Sequence, residues 1–169
     1  MHSHGASVVT SRENENEIEG FEMILSGADV MQYIRYGGLS FTPELDADQF
    51  QQNGIDMILE DAEQIVLGKG DFTLARTREQ VTMPNDLMAF VQLRSSWARK
   101  GFMIPPTVID AGFSGTITLE IASFSECNRL PIGERFAHVI FAKLSTPSLP
   151  YAGKYQGQFE ITHALEDRR

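Results

Sequence analysis

The chain is poor in the residues that build disulfides and protein-held metal sites. Its 169 residues include one cysteine, Cys127, so no intrachain disulfide can form, and this usage fits a reducing compartment. The four histidines and single cysteine lack the H-x-E and P-C-x-x-C pattern of catalytic zinc sites. We therefore expect no zinc and no metal held by protein side chains alone.

Long apolar runs are also missing. No stretch approaches the roughly 20 residues of a membrane-spanning helix. The opening MHSHGASVVTSRENENEIEG has no apolar signal core and is too acidic for a transit peptide. We expect a cytoplasmic protein without a membrane partner, in which residues 1–22 form a flexible N-terminal arm.

Positive charge is scarce, since the formal net charge is −9. Such a surface repels DNA and RNA polymers, whose binding depends on many lysine and arginine contacts to phosphate. A small anionic ligand remains compatible with this charge, provided that a few cations are focused at one site and a metal ion assists.

Many short segments rich in β-forming residues make up most of the remaining chain. Turn residues such as Asn53-Gly54 separate them, and this spacing predicts a mainly β fold, a distorted β-barrel or jelly-roll with a few short helices. We expect one domain over residues 23–169, with a C-terminal lid from about residue 150 to 169. The predicted strands are LSFTP, QFQQNGIDMILE, EQIVLG, DFTLARTREQVTM, LMAFVQL, GTITLEIASF and RFAHVIFAKL.

One helix is predicted after residue 26. Ser26 is a candidate N-cap, with Asp29 three residues on as a variant of the capping box. Gly37-Gly38 supplies the stop. Between them, a helical apolar stripe comprises Val30, Met31, Tyr33 and Ile34.

A candidate anion site lies at RSSWARKG. Ser95 or Ser96 can cap a short helix that Gly101 ends, and a helix start offers free N–H groups and a positive dipole. Arg94 and Arg99 add fixed charge. An ordinary capped turn explains the same letters.

Two carboxylates follow in IDAGFSGTITLEIASF. Strand alternation places Glu120 on a polar face with Thr116 and Thr118, opposite Ile117, Leu119 and Ile121. Asp110 lies in the turn at the mouth of this strand. A solvated strand glutamate and a turn-forming aspartate are the simpler alternatives.

The tail segment PYAGKYQGQ combines tyrosines, a lysine and glutamines between glycines, as a strap over a base and phosphates would, although flexible polar tails are common. His138, in RFAHVIFAKL, is more typical of a satisfied core or interface histidine than of a catalytic one.

Together these segments resemble the dCTP deaminase family of the trimeric dUTPase-like superfamily. The matching segments are QQNGIDMIL, RSSWARKGF, VIDAGFSGTITLE, PIGERFAHVIF and YAGKYQGQ, in the family's order. The resemblance implies a dUTPase-type fold, a homotrimer with inter-subunit sites, and zinc-independent deamination of dCTP to dUTP. It also implies Mg²⁺ bound through the triphosphate and dTTP as an inhibitor.

The resemblance also implies residue roles. Glu120 matches the catalytic proton shuttle, and Ser95 and Arg99 match the residues that position the water and orient that glutamate. Arg94, Ser95 and Ser96 match the triphosphate-binding turn, and Asp110 matches the contact to the deoxyribose 3′-hydroxyl. Further expected substrate contacts are Trp97, Ala98, Thr118, Leu119, His138, Tyr151, Lys154, Tyr155 and Gln158.

Three other functions remain open. A bifunctional enzyme would also cleave dUTP to dUMP and pyrophosphate, with Asp110 activating a second water. A pure dUTPase fits less well, because the glycine-rich tail motif is absent and Phe113 replaces the tyrosine expected under deoxyribose. A non-catalytic nucleotide sensor is disfavoured by intact Glu120, Ser95 and Arg99.

Overall fold

The computed structural model of the protein describes residues 24–166. The arm predicted over residues 1–22 and the last three residues of the predicted lid lie outside this range. None of the helices within it is long and apolar enough to cross a bilayer.

Helix α1, Gly27–Tyr36, begins at the predicted residue. Ser26 Oγ accepts from the Asp29 amide at 3.2 Å, and the Ser26 amide donates to Asp29 Oδ2 at 2.9 Å, which completes a capping box. The hydrogen bonds from Ser26 lower the pKa of the Asp29 carboxyl below its ordinary value. The predicted apolar stripe is wrong in part: Val30 is buried, whereas Met31 is 47% exposed.

Strands dominate the chain, and the predicted mainly β class is confirmed. A short 3-10 helix spans Ala47–Gln49, and helix α2 spans Ser95–Ala98. The strands are β1 Ser40–Thr42, β2 Phe50–Gln51, β3 Gly54–Ala62, β4 Val66–Leu67, β5 Phe72–Thr82, β6 Leu87–Leu93, β7 Phe102–Met103, β8 Thr107–Ile109, β9 Ser114–Ser123, β10 Asn128–Arg129 and β11 Arg135–Lys143.

The strands form one curled sheet in the order β7-β9-β5-β3-β11-β6-β8. Strand β1 pairs with β5, β2 pairs with β3, and a separate ribbon joins β10 to β4. Every strand pair is antiparallel. Curling of the sheet brings the inner faces of distant strands together around one core.

The core follows the predicted alternation of β9 from Thr118 onward, whereas Thr116, expected on the polar face, is buried. Leu119 and Ile121 are buried with Phe136 of β11, while Thr118 and Glu120 face outward from the sheet and are half-buried. Trp97 and Phe102 add an aromatic cluster, in which the Phe102 and Phe136 rings lie 5.8 Å apart edge to face. The outward face of β9 is therefore free to line a site.

A buried glutamate pins β5 to β3. Glu79 is fully buried, and its carboxylate accepts from Gln49 Nε2 and the Ile58 amide, both at 2.9 Å, and from Arg78 Nε at 3.0 Å. The β5–β9 register shifts between Arg76 and Gln80, where this network sits. Because the buried charge has several donors, it stabilises the irregular pairing instead of destabilising it.

Candidate active site

A cavity of about 520 Å³ lies against the outward face of β9, and we call it the Glu120 cavity. Its volume falls within the range of about 300–1,000 Å³ that small-molecule sites occupy. Apolar side chains such as Phe72 and Ile117 make up part of its wall. It brings together six residues expected from the sequence to contact a substrate: Asp110, Thr118, Glu120, Tyr151, Tyr155 and Gln158.

The local structure explains how the two carboxylates come to share this cavity. Glu120 pairs in register with Leu74 of β5, and both side chains line the cavity. Asp110 is the first residue of a tight turn, in which the Phe113 amide donates to the Asp110 carbonyl at 3.1 Å. Gly112 enables that turn, since its φ of +76° suits glycine and a Cβ would lie 2.5 Å from Pro150 Cα. Within residues 24–166, neither carboxylate has a hydrogen-bond or ion-pair partner, so both are available to a ligand.

The tail closes the other side of the Glu120 cavity. The Tyr151 ring packs edge to face on Phe113 at 5.8 Å between centroids. Gln158 Nε2 donates to the Thr116 carbonyl at 2.8 Å, and the Thr116 amide donates to the Gln158 carbonyl at 2.9 Å. The predicted strap therefore lies along β9, where Gln158 binds the strand's main chain.

A second cavity, of about 480 Å³, is lined by Arg94, Ser95, Ser96 and His138, and we call it the Arg94 cavity. The prediction that a serine caps α2 is wrong, because Arg94 occupies the N-cap and makes no side-chain cap hydrogen bond. Both serines lie in the first turn and are exposed. Within the described chain their amides have no acceptor, so two N–H groups and two hydroxyls remain free for an anion.

Asp56, which was not expected from the sequence, organises the Arg94 cavity. This carboxylate is 1% exposed and lies 2.9 Å from Arg94 Nε through Oδ2 and 2.9 Å from His138 Nδ1 through Oδ1. Arg94 Nη1 also donates to the Arg135 carbonyl at 3.0 Å. The signal was present in GIDMIL, because a charge inside an apolar strand run requires a buried partner.

Five expected substrate-contacting residues line neither cavity. The side chains of Trp97 and Leu119 are buried in the core, so their expected contacts could be made only through main-chain groups. Trp97 Nε1 is already used, donating to the Arg135 carbonyl at 2.8 Å. Ala98, Arg99 and Lys154 are exposed outside both cavities.

The expected site is thus divided between two cavities of one chain. Glu120 and Asp110 line the first, and Arg94 with the two serines lines the second. Across residues 24–166, no group of three or more histidine, cysteine, aspartate or glutamate side chains is placed to hold a metal ion.

Comparison with known sequences identifies the family. The sequence model of the dCTP deaminase-like family matches residues 57–144. A probable deoxyuridine 5′-triphosphate nucleotidohydrolase of Sulfolobus islandicus rod-shaped virus 1 is 40% identical, over 86% of this chain and 100% of that protein. A dCTP deaminase of Acidianus ambivalens is 36% identical, over 83% of this chain and 96% of that protein.

Solved structures show the same fold. The 2′-deoxycytidine 5′-triphosphate deaminase from Agrobacterium tumefaciens superposes with a TM-score of 0.62 at 19% identity, covering 73% of this chain and 49% of that one. The native EIAV dUTPase superposes with a TM-score of 0.51 at 20% identity, over 70% of this chain and 98% of that one. The predicted dUTPase-type fold is confirmed. By its family match, and by relatives at 36–40% identity whose length it covers almost end to end, the chain belongs to the dCTP deaminase-like family.

Proposed function

We propose that this protein hydrolyses dCTP to dUTP and ammonia, with Glu120 as the proton shuttle. The observation that carries the proposal is a pair of carboxylates, Glu120 and Asp110, that have no partner within residues 24–166 and share one partly apolar cavity of about 520 Å³. The activities for which relatives are named, such as that of the dCTP deaminase of Acidianus ambivalens, support the choice of substrate.

The chemistry requires one group that both accepts and donates protons. Water adds to C4 of the cytosine while Glu120 takes a proton from it and passes that proton to ring N3. Glu120 then takes the proton of the new hydroxyl and delivers it to the amino group, which leaves as ammonia as the C4 carbonyl forms. Ser95 is proposed to hold the water, and Asp110 to accept a hydrogen bond from the deoxyribose 3′-hydroxyl.

The phosphates are proposed to bind in the Arg94 cavity. Free amides and hydroxyls of Ser95 and Ser96, beside the Arg94 guanidinium, form an anion site of ordinary chemistry. Mg²⁺ would neutralise charge on the triphosphate. Such an ion would be held by phosphate oxygens and not by Asp56, because the Asp56 carboxylate is already paired with Arg94 and His138.

A homotrimer would unite the two cavities. In one chain Glu120 and Arg94 line different cavities, whereas deamination of dCTP needs base and triphosphate bound at once. We propose that the Arg94 cavity of one subunit faces the Glu120 cavity of its neighbour, which would also bring Ser95 and Arg99 to Glu120. Light scattering should give three times the mass of the chain, and a monomer mass would contradict the arrangement.

A second activity, cleavage of dUTP to dUMP and pyrophosphate, is favoured by one observation. Asp110 shares the cavity with Glu120 and is free to activate a second water. The viral relative is named a probable deoxyuridine 5′-triphosphate nucleotidohydrolase, and this name also favours dUTP cleavage.

One assay separates these activities. The protein is incubated with Mg²⁺ and either dCTP or dUTP, and dUTP, dUMP and ammonia are resolved. Ammonia with accumulating dUTP supports deamination alone, and dUMP from either nucleotide adds the second activity. Binding of dCTP without ammonia release would overturn the proposal. The resemblance implies that dTTP is an inhibitor, so adding dTTP to the dCTP reaction should lower the rate of ammonia release.

A further inference from the structure

The tail beyond Gln158 lies outside the matched family region and forms a wall of the Glu120 cavity. Thr162 and His163 line that cavity. The Thr162 amide donates to Thr118 Oγ1 at 3.2 Å, so the tail is hydrogen-bonded to a β9 hydroxyl group two residues from Glu120. Residues 159–164 therefore help to determine the shape of the space that a base would fill.

Close main-chain contacts bring the tail to this position. The Gly157 amide donates to the Ser114 carbonyl at 2.8 Å, so the tail begins its course along the edge of β9. Gly115 permits the approach, because a Cβ there would lie 2.7 Å from the Gln158 carbonyl oxygen. Up to Gln158 these main-chain contacts hold the segment.

Beyond Gln158, two ion pairs join the tail to Arg76 of β5 and to Glu63, which follows β3. Arg76 of β5 pairs in register with Thr118, and its Nη1 lies 2.7 Å from Glu60 Oε2. Its Nε lies 3.8 Å from Glu160 Oε2. The second contact is between His163 Nε2 and Glu63 Oε1, at 2.8 Å.

The Arg76 Nε is a buried hydrogen-bond donor. Within residues 24–166 it has no hydrogen-bond acceptor, although the atom is inaccessible to solvent. Its facing carboxylate, Glu160, belongs to the tail and is 83% exposed. A shift of about 1 Å would bring the two within hydrogen-bond distance and satisfy the orphaned donor.

We infer that Arg76, fixed by Glu60, is a positioning residue that draws Glu160 inward and so holds the tail wall over the Glu120 cavity. Bound nucleotide is retained longer when the wall is held. The inference rests on the proposed function for the identity of that nucleotide, but its structural part, the hold on residues 159–164, stands apart from any activity.

Glu160→Gln is the direct test, with Glu126→Gln as its matched control. Glu126 also faces a cation at 3.8 Å and is 88% exposed, but it pairs with Lys69 away from the tail. In Glu160→Gln, NMR hydrogen exchange of the Thr162 amide should accelerate about two- to fivefold, the range of an exposed ion pair, while the Gly157 amide stays at its wild-type rate. Glu126→Gln should change neither rate.

Kinetics give the second readout. Glu160→Gln should raise KM for dCTP by about the same factor while kcat changes less, because the pair holds the wall without touching the reacting atoms. Arg76→Gln should have the larger effect, and Arg76→Lys should restore part of it by keeping the charge beside Glu60. Since Arg76 is only 20% exposed, thermal melts identify any variant that loses its fold.

The proposed function and the inference about the tail can fail separately. If wild-type protein releases no ammonia from dCTP, the proposed function fails while the exchange result stands. If the Thr162 amide exchanges at the wild-type rate in Glu160→Gln, the inference is overturned whatever the activity. An unchanged KM together with faster exchange would overturn the part of the inference that concerns nucleotide retention.

Discussion

Asp56→Asn tests whether a buried carboxylate sets up the proposed phosphate site. The side chain is 2% exposed and lies 2.9 Å from both Arg94 Nε and His138 Nδ1. Asparagine keeps the shape and one oxygen for His138 but removes the negative charge that faces Arg94. Among residues 24–166, the guanidinium then keeps its hydrogen bond to the Arg135 carbonyl and no other partner.

The expected loss of stability follows from the burial of the pair. Removing one partner of a fully buried ion pair costs about 3–5 kcal/mol. Arg94 is 28% exposed, so water compensates part of that loss, and we expect about 2 kcal/mol. Loss of one well-placed charged contact to phosphate, worth about 1.4 kcal/mol, should raise KM for dCTP roughly tenfold.

Urea unfolding at fixed protein concentration measures the first effect, and steady-state kinetics the second. Asp48→Asn is the control, because Asp48 lies 3.6 Å from Arg135 but is 71% exposed, and it should cost less than about 0.5 kcal/mol. An Asp56→Asn protein with wild-type stability and wild-type KM would refute the reasoning. So would a loss confined to kcat, which would place Asp56 in the chemical step.

Three further substitutions test other parts of the structure. Glu120→Gln should abolish ammonia release while dCTP binding by calorimetry stays measurable; retained deamination would remove Glu120 from its proposed role. Glu79→Gln should lower the free energy of unfolding by about 2–3 kcal/mol in urea titrations, because one neutral amide cannot accept from all three donors, two of which are buried; an unchanged midpoint would contradict this. Ser26→Ala should cost about 1 kcal/mol at neutral pH. The pKa of Asp29 is lowered in the folded state, so its stabilisation is present above the unfolded pKa and lost as pH falls through the folded one; the cost of Ser26→Ala in urea melts should shrink on acidification, and a constant cost would argue against the capping box.

Much of the fold could be predicted from local pattern. The period-two alternation in GTITLEIASF identified both the strand and its outward glutamate, and Ser26 with Asp29 marked the helix start. The missed strands β7, β8 and β10 have two or three residues each, too few to show a period. Met31 continues the helical stripe in sequence, yet its side chain remains exposed because burial depends on which elements pack nearby.

Some of the residues that line the two cavities could be predicted from the sequence, but their arrangement could not. Asp110 and Glu120 were both expected, and the structure places them in one cavity. That Arg94 lines a different cavity depends on sheet curvature, which the local sequence does not encode. GIDMIL indicated that Asp56 needs a buried partner, but the partner, Arg94, is distant in sequence, as Arg76 is from Glu160.

Co-assembly of two inactive variants would test whether the two cavities act together in the proposed trimer. Glu120→Gln and Arg94→Ala subunits, each inactive alone, are co-expressed in equal amounts, and ammonia release from dCTP is measured. If each site takes Glu120 from one subunit and Arg94 from the next, random assembly makes about one site in four intact, so the mixture should recover up to about a quarter of wild-type activity. A mixture as inactive as its parents, although mass measurements show mixed trimers, would contradict an active site shared between the Glu120 and Arg94 cavities of neighbouring subunits.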